Sequence, residues 1–516
     1  MVVNQNSRLV KNTIFLSVRM IFVMFVSLYT SRVFLHALGV EDFGINNVVC
    51  GFVSMFSFLN TSLANGIQRF YNSEMSASGD DGVNAVYNTS LFIQGCIAII
   101  IIILLETVGL WYINNKMVIP IDRMNTAIWI YQFSVISSVI VIMQTPFSAV
   151  VMAYEKMNYY AVVGIVDVLL KLTLALTIPY VKGDHLLFYG AIMLCISIIS
   201  LIMYVGYAKF KFKPIVINFR IQSGLLKRMI AFSGWNFFGT FACMAREQGL
   251  NMVLNLFFGP VVNAARGIAY QVSSALQGFV SNVSVAAKPQ MVSSYAEGNK
   301  ERTLGLMYSM SKLSFFILYI MAIPVCLEID YILRIWLGDV VPEHTANFVV
   351  LVILANFMNN LNAPLSNVVY ATGEMRNYEV TFGILNIMII PVAYIALRIG
   401  CPPEAAFVSY FAMAILVQVA SLLVLRTITS ISLKNYFFKL CCPLVVFSVV
   451  ALPLPYLTYL LLPSGFFRLT SVTVMTIIVS SVLFYWIGLN LKEKEIVVNY
   501  IHKISEHGVK KYFKIR

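Results

Sequence analysis

The chain has 516 residues, of which 59% are hydrophobic and 11% are charged, and its mean hydropathy is +0.82. Soluble domains carry about 25% charged residues, so this composition excludes a soluble protein and indicates an integral membrane protein. The formal charge of +13 fits either nucleic-acid binding or the basic loops of a membrane protein, and the positions of the bases decide between them. The 8 cysteines show no CxxC spacing, so neither a metal site nor a disulfide framework is expected.

In chain order, apolar segments long enough to cross a bilayer recur along almost the whole sequence. A spanning helix needs about 20 mostly apolar residues, and about fourteen such segments lie between polar breaks. They cover 13–37, 43–68, 85–112, 125–152, 158–180, 186–208, 229–258, 261–287, 305–327, 346–371, 379–399, 405–426, 437–462 and 468–490. The first is too long for a cleavable signal, and no A-x-A-like site follows it. The second, seventh and eighth are rich in Asn, Ser, Gln and Gly, so we predict that they face an aqueous cavity.

The charged residues predict the orientation of the spans, because cytoplasmic loops carry an excess of Lys and Arg. The loop between the sixth and seventh spans holds bases and no acid: Lys209, Lys211, Lys213, Arg220, Lys227 and Arg228. The C-terminal tail is also rich in bases: Lys492, Lys494, Lys503, Lys510, Lys511, Lys514 and Arg516. The opposite loops hold many of the acids: Glu41, Asp42, Asp122, Asp184, Glu328, Asp330, Asp339, Glu343 and Glu404. We therefore predict that both termini are cytoplasmic, and the positive charge then requires no nucleic-acid partner.

Two related stretches indicate an internal repeat. "TPFSAVVMAYEKMNYYAVVGI" (145–165) and "APLSNVVYATGEMRNYEVTFGI" (363–384) share Pro, Ser, Ala, Glu, Asn, Tyr and Gly in the same order. The offset between them settles at 219, and the same offset aligns Gly79 with Gly298. Because the matches are polar and helix-breaking residues at one offset, we interpret them as two copies of one unit.

The repeat predicts how the chain is organised. "FG" at 43–44 matches "FG" at 258–259 after a small gap, so the similarity extends upstream. An even number of spans separates the copies, so both halves have the same orientation in the membrane, an architecture of transporters. The predicted fold is all-α, with two pseudo-symmetric six-helix halves and an extra C-terminal helix pair. The predicted parts are 1–218 and 219–428 for the halves, 429–490 for the extra pair and 491–516 for a basic tail.

These features resemble one superfamily of transporters. Two parallel halves, two further spans and the paired pattern P-x-S-x-V-V-x-A…E-x-x-N-Y are similar to the multidrug/oligosaccharidyl-lipid/polysaccharide (MOP) exporters. The chain most resembles the polysaccharide-transporter branch, the Wzx-type flippases of O-antigen and capsule repeat units. "NSRLVKNTIFLSVRMI" followed by "ALGVEDFGINNVV" is typical of that branch as well. The resemblance covers essentially the whole chain, through motifs looser than a catalytic signature.

The resemblance implies a function in surface polysaccharide (O-antigen, capsule or lipopolysaccharide) biosynthesis. It implies a cavity lined largely by spans one, two, seven and eight, which opens alternately to each side of the bacterial inner membrane. The implied cargo is an undecaprenyl-diphosphate-linked oligosaccharide, turned from the cytoplasmic to the periplasmic leaflet. Expected partners are this lipid-linked cargo, membrane lipid, a polysaccharide polymerase and glycosyltransferases. No cofactor or metal is expected beyond a candidate coupling ion, H⁺ or Na⁺.

A diphosphate cargo is anionic, so its transporter needs cations inside the spans. Arginine suits this role, because its guanidinium group stays charged and binds phosphate oxygens bidentately. Arg19 and Arg32 both lie in the first span, although an arginine in hydrocarbon costs at least about 3 kcal/mol. They lie about 9 Å and about 8 Å from its two ends and point about 140° apart. Arg19 is predicted to contact the diphosphate, with snorkelling of its long side chain to the membrane surface as the alternative. For Arg32, cavity lining and anchoring at the outer rim near Glu41 or Asp42 both remain open.

The seventh and eighth spans hold the strongest candidates. Arg246 lies too deep in "FACMAREQGLNMV" to reach the membrane surface easily, and Arg266 lies in "NAARGIAY" of a predicted cavity-lining helix. Both are predicted to bind the diphosphate, with an interhelical salt bridge as the alternative. Glu247 is a candidate for ion coupling. Because neighbouring side chains on a helix point about 100° apart, Arg246 and Glu247 are expected to find different partners.

Other intramembrane residues admit two interpretations each. Asp167 and Lys171 have the i,i+4 spacing of a self-neutralising pair, and Asp167 is also a candidate site for a coupling ion. Pro146 and Pro364 occupy matching positions in the two halves, so they are candidate hinges as well as static bends. A set of amides could bind sugar hydroxyls or form interhelical hydrogen bonds: Asn46, Asn47, Asn60, Asn65, Gln68, Gln248, Asn251, Asn255, Asn263, Gln271 and Gln277.

Three other functions compete with the polysaccharide flippase. A drug/cation antiporter of the same fold would favour an acidic cavity, whereas the deep charges here include more bases than acids. A flippase for the peptidoglycan lipid precursor would need the same chemistry and is poorly separated by sequence. A polysaccharide polymerase or glycosyltransferase would need a large loop outside the membrane, and the loops are short, so no enzymatic activity is expected.

Overall fold

The structure is a computed structural model, which describes residues 2–56, 67, 70–71, 74–75, 79–154, 156–212, 216, 218, 222–338, 340–372, 374–429, 431–489 and 494. Only the backbone is described at 2–21, 157, 231–237, 282–290, 292–293 and 296. All regular structure in these described ranges is helical, which confirms the predicted all-α class.

The α-helices follow one another through short connections. They are α1 Val2–Ser54, α2 Gly79–Leu104, α3 Leu110–Asn115, α4 Met124–Ala153, α5 Met157–Thr177, α6 His185–Lys211, α7 Ser223–Phe258, α8 Pro260–Ala296, α9 Lys300–Leu327, α10 Ile329–Leu337, α11 Thr345–Thr372, α12 Arg376–Arg398, α13 Glu404–Thr429, α14 Leu433–Tyr436, α15 Cys442–Ala451, α16 Pro453–Leu461 and α17 Phe466–Leu483. Single π-helical turns join several of them, at Leu105–Gly109, Phe437–Cys441 and Phe484–Gly488.

In the described part of the chain, 11 helical stretches are long and apolar enough to cross a membrane, from Phe22–Ser54 to Phe466–Gly488. The predicted seventh and eighth spans are present as the long helices α7 and α8, and their polarity keeps them outside this set. The predicted second span continues from the first as one kinked helix, and its residues 57–66 lie outside the described ranges. The multi-pass helical architecture is thus confirmed, and the number fourteen stays a prediction.

In each predicted half, a glycine with an unusual backbone conformation lies between the first two spans. Gly39 interrupts α1 with φ 79° and ψ 167°, and Gly259 separates α7 from α8 with φ 73° and ψ −169°. Only glycine adopts this conformation readily. These two glycines lie 220 residues apart, close to the offset of 219 that aligns Gly79 with Gly298. The similar conformations of Gly39 and Gly259 therefore suit a repeat near this offset, and the alignment of the two "FG" pairs stays a prediction.

The chain forms two compact units. Unit 1 consists of Met1–Ala275, Leu333–Ala355 and Met375–Ala420, and unit 2 of Leu276–Ile332, Asn356–Glu374 and Ser421–Arg516. Within unit 1, buried apolar side chains of α1, α2 and α4 form a core around Tyr131. The hydroxyl group of Tyr131 donates to the carbonyl oxygen of Leu105 at 2.7 Å, where the helix widens into the π-turn. A side chain at Gly109 would collide with this hydroxyl group, so the turn needs glycine there.

An ionic network ties three helices of unit 1 together near Gly39. Arg123 donates from Nε to Asp42 Oδ1 at 2.8 Å and from Nη1 to Asp184 Oδ2 at 3.0 Å. Asp184 also caps α6 by accepting from the backbone N–H of Leu186. Burial opposes ionisation of Asp184, but hydrogen bonds from Thr126, the backbone and Arg123 outweigh it and lower the pKa of this carboxyl group. Asp42, a predicted neighbour of Arg32, is therefore occupied by Arg123.

Unit 2 contains a buried ion pair between the end of α9 and the start of α17. Arg468 donates from Nε to Glu328 Oε1 at 2.6 Å and from Nη2 to Oε2 at 2.8 Å. The side chain of Glu328 is fully buried, and the guanidinium group of Arg468 lies 4.4 Å from the ring centre of Tyr459. Such a bidentate pair is specific in geometry, so it fixes how these two helix ends pack.

Replacing Glu328 with glutamine is expected to lower the melting temperature of the purified protein, because Arg468 keeps its charge and loses its carboxylate. Removing one partner of a buried pair costs about 3–5 kcal/mol. Glu297→Gln is the control, since the Arg302–Glu297 pair is about 60% exposed on both sides and 3.9 Å long, and exposed pairs contribute about 0–1 kcal/mol. Equal melting temperatures for both variants would contradict a structural role for Glu328.

Candidate functional site

Arg246 lies in the interior of unit 1, on α7, about 18 Å from the Gly259 end of that helix. It is 7% exposed. Its Nη1 donates to Asn386 Oδ1 of α12 at 2.6 Å, and its guanidinium carbon lies 4.8 Å from the ring centre of Tyr410 on α13. Its Nη2 donates to Glu247 Oε1 at 3.2 Å, so the expectation that Arg246 and Glu247 find different partners is wrong. The two long side chains bend towards each other although their Cβ atoms diverge.

Arg266, on α8, is buried more deeply, at 4% exposure. Its Nη2 donates to the backbone carbonyl oxygen of Glu247, and its guanidinium carbon lies 4.2 Å from the ring centre of Tyr270, one turn further along α8. Within the described ranges, Arg266 forms no ion pair with a carboxylate. Its partners are a peptide carbonyl and an aromatic face, both of which are neutral.

The two arginines belong to one cluster with a surplus of positive charge. Glu247 contacts both of them, and Tyr270 lies in the electrostatic environment of Arg246, Arg266, Glu247 and Tyr410. The carboxylate of Glu247 therefore pairs with Arg246 alone, and Arg266 is left with the neutral backbone carbonyl oxygen of the same residue. The Nε atoms of both arginines and the hydroxyl group of Tyr270 are buried and have no hydrogen-bond partner among the described residues. Each unused donor costs about 1–3 kcal/mol, so the cluster is suited to an anion that offers several acceptor oxygens.

Asparagines hold the helices around this cluster together. Asn263 of α8 donates to Asn251 Oδ1 of α7 at 2.7 Å, and Asn251 donates to the backbone carbonyl oxygen of Asn47 in α1 at 3.1 Å. Asn255 exchanges hydrogen bonds with the backbone of Val118, which follows α3. Asn251 and Asn263 therefore form interhelical hydrogen bonds, one of the two predicted roles, and Asn255 ties α7 to the segment after α3. Asn60, Asn65 and Gln68 lie outside the described residues.

Two glycines let α1 approach α8 closely. A Cβ atom at Gly44 would lie 1.9 Å from the carbonyl oxygen of Pro260, and one at Gly267 would lie 2.1 Å from Asn47 Nδ2. The obstacle at Gly44 is backbone, so any larger residue there would push the helices apart, whereas at Gly267 the side chain of Asn47 would have to move. Gly267 directly follows Arg266 in the chain, so this close contact lies beside the cluster.

Arg32 lies apart from this cluster. It donates from Nη1 to the carbonyl oxygen of Ile335, at the C-terminal end of α10, at 2.9 Å. His36 contacts the carbonyl oxygen of Leu337, and Trp336 donates from Nε1 to the carbonyl oxygen of Leu28. Cations near the C-terminus of a helix are favoured by its dipole. The contacts of Arg32 therefore anchor α1 to α10, and its predicted role in substrate binding stays a prediction.

The remaining predicted residues are placed as follows. Asp167 Oδ2 accepts from Lys171 Nζ at 2.7 Å, the self-neutralising pair expected from their spacing, and its role in ion coupling stays a prediction. Pro146 and Pro364 are buried inside α4 and α11, which continue through them, and their hinge role also stays a prediction. Arg19 lies in α1, and its side chain is outside the described part of the structure.

Sequence reasoning missed three residues of the cluster. The i,i+4 spacing of Arg266 and Tyr270 was the signal that could have identified Tyr270. Asn386 and Tyr410 gave no local signal, because they lie in spans far along the chain from Arg246. A buried lysine in unit 2, Lys312 of α9, was also overlooked.

The fold is similar to those of several solved structures. A MATE-family multidrug transporter of the MOP superfamily in its inward-facing conformation is similar, with a TM-score of 0.66, 14% identity and coverage of 82% of this chain and 99% of that chain. The lipid II flippase MurJ, in an inward closed conformation, gives 0.64 and 14%, with 91% and 98% covered. A MOP transporter from Pyrococcus furiosus with a binding pocket of reversed polarity gives 0.60 and 15%, with 81% and 96% covered. The chain is thus a multi-pass membrane protein with the MOP transporter fold, and the proteins compared are transporters or flippases rather than enzymes.

A sequence model of the polysaccharide biosynthesis protein family matches residues 9–295, more than half of the chain. The chain belongs to this family. No curated protein matches its sequence.

Proposed function

We propose that this protein flips undecaprenyl-diphosphate-linked oligosaccharide repeat units across the membrane. The observation that carries the proposal is the cluster of Arg246 and Arg266, two buried guanidinium groups of which Arg246 pairs with the carboxylate of Glu247 and Arg266 contacts only its backbone carbonyl oxygen. A charge taken out of water is costly unless it is paired. A protein that keeps an unpaired cation inside its membrane-spanning unit therefore has a use for an anion there.

A diphosphate suits this cluster by charge and by shape. It carries several negative charges and many acceptor oxygens, and arginine binds phosphate oxygens through two parallel N–H donors. The unused donors on Arg246, Arg266 and Tyr270 would point to such an acceptor. Membership in the polysaccharide biosynthesis family supports a glycan as the group attached to the diphosphate.

The proposal includes a direction and a location. Basic loops predict cytoplasmic termini, so the repeat unit would enter from the cytoplasmic leaflet of the bacterial inner membrane and leave in the periplasmic leaflet. Alternating access would expose the cluster to each side in turn. Glycosyltransferases would supply the cargo, a polymerase of O-antigen or capsule would consume it, and Asp167 or Glu247 remain candidates for coupling to H⁺ or Na⁺.

Two alternatives have support from similar folds. The similarity to MurJ, a lipid II flippase, favours the peptidoglycan lipid precursor, which also carries a diphosphate. The similarity to multidrug MATE transporters favours a drug/cation antiporter. A cluster with excess positive charge repels cationic drugs, so the second alternative fits the residues less well.

Deleting the gene is expected to leave lipid-linked repeat units on the cytoplasmic side and to remove the surface polysaccharide. Lipid extraction and glycan staining measure both effects, and the wild-type gene restores export. Normal surface polysaccharide in a strain without a second such flippase would contradict the proposal. Rescue of a strain that lacks its peptidoglycan-precursor flippase would favour the first alternative, and increased drug resistance on overexpression would favour the second.

A further inference from the structure

Glu247 contacts both arginines of the cluster, each through a different oxygen atom. Its carboxylate accepts from Arg246, and its backbone carbonyl oxygen accepts from Arg266. The side chain of Glu247 is 33% exposed, whereas that of Arg246 is 9% exposed. The carboxylate is therefore the more accessible member of this ion pair.

A ligand anion would need the place that this carboxylate occupies. Arg246 directs Nη1 to Asn386 and Nη2 to Glu247, and its Nε is buried without a partner. Asn386 is a neutral partner that bridges α7 to α12. Glu247 is the charged partner, and it is held by a single hydrogen bond of 3.2 Å. It is therefore the contact most easily exchanged for phosphate oxygens.

We propose that Glu247 is a built-in competitor for the anion site: its carboxylate neutralises Arg246 in the empty protein and is displaced by the entering diphosphate. This inference rests on the proposed function and adds a role for Glu247 in release. When the diphosphate leaves, the carboxylate returns to Arg246, so this guanidinium group regains its counter-charge in the empty protein. Binding is weakened by this competition and release is accelerated.

The test uses the purified full-length protein, with farnesyl diphosphate as a soluble prenyl diphosphate probe and a fluorescent prenyl-diphosphate glycan for transport in proteoliposomes. Glu247→Gln removes the charge and keeps the shape. It is expected to bind farnesyl diphosphate about 10-fold more tightly, the effect of one charge-assisted contact, and to transport more slowly, because release is no longer assisted. A purely structural role would not move affinity and turnover in opposite directions.

Two further variants make the test decisive. Glu247→Asp keeps the charge and shortens the side chain, so it is expected to tighten binding less than glutamine does. Glu106→Gln alters a glutamate of unit 1 that accepts from Gln132 and contacts neither arginine, so it is expected to match wild type. Unchanged or weaker binding by folded Glu247→Gln or Glu247→Asp protein would overturn the inference.

Failure of the inference can be told apart from failure of the proposed function. If wild-type protein binds no farnesyl diphosphate, or if Arg266→Met binds it as wild type does, the proposed function fails. If wild type binds, Arg266→Met does not, and Glu247→Gln binds no more tightly, only the competitor role of Glu247 fails.

Discussion

Replacing Arg266 with methionine is expected to abolish binding of a prenyl diphosphate and at the same time to raise the heat stability of the empty protein. Loss of one partner from a buried charged contact costs about 2–5 kcal/mol, so affinity should fall at least about 30-fold. The empty protein gains because it no longer buries a cation without a carboxylate, and exchanging buried charges for apolar side chains is often stabilising by about 1–4 kcal/mol. Equilibrium binding and thermal unfolding of the same preparation measure both effects.

The opposite signs separate a binding role from a structural one. Arg228→Met is the control, because Arg228 lies in the same unit and its side chain is 63% exposed in its pair with Glu74. It should leave affinity and melting temperature close to wild type. A lower melting temperature for Arg266→Met, with unchanged affinity, would show that Arg266 holds helices together and does not bind the ligand.

Replacing Arg246 with lysine is expected to stop export of surface polysaccharide in a deletion strain, although the positive charge remains. The ammonium group of lysine is a compact point charge, whereas the planar guanidinium group binds Asn386, Glu247 and the face of Tyr410 together. Export should fall at least about 30-fold, corresponding to the loss of contacts worth about 2 kcal/mol. Quantified surface glycan, at equal amounts of protein in the membrane, is the measurement.

Asn386→Leu supplies the comparison for Arg246. It removes the bridge from α7 to α12 and leaves the guanidinium group and Glu247 in place. We expect reduced but clear export from this variant. If Arg246→Lys exported normally, or if Asn386→Leu were as inactive as Arg246→Lys, the main role of Arg246 would be to join the helices.

Much of the fold could be predicted from residue order, because hydropathy and charge are properties of local segments. The apolar segments predicted the multi-pass helical architecture, which the structure confirms. The internal repeat stays a prediction, to which the structure adds that Gly39 and Gly259 share one backbone conformation.

The candidate site was predictable only in part. Arg246 and Arg266 stood out because a charge inside an apolar segment is costly wherever it points. Their pairing with one glutamate did not follow from spacing, since side chains next to each other on a helix diverge at Cβ and meet only if both are long enough to bend back. A charge at Arg32, inside an apolar segment, is just as costly by sequence. In the structure, however, its guanidinium group donates to the carbonyl oxygen of Ile335.

The sequence by itself determined that this is a membrane protein of helical spans with arginines in the predicted seventh and eighth of them, and it predicted a repeat at an offset of 219. Only the tertiary structure decided what each charge touches. Arg246 and Asn386 are 140 residues apart, and Arg32 and Ile335 are 303 apart. Contacts over such separations depend on how helices are rotated and packed against each other. Close glycine contacts and interhelical asparagines set that packing, and no local pattern of residues encodes it.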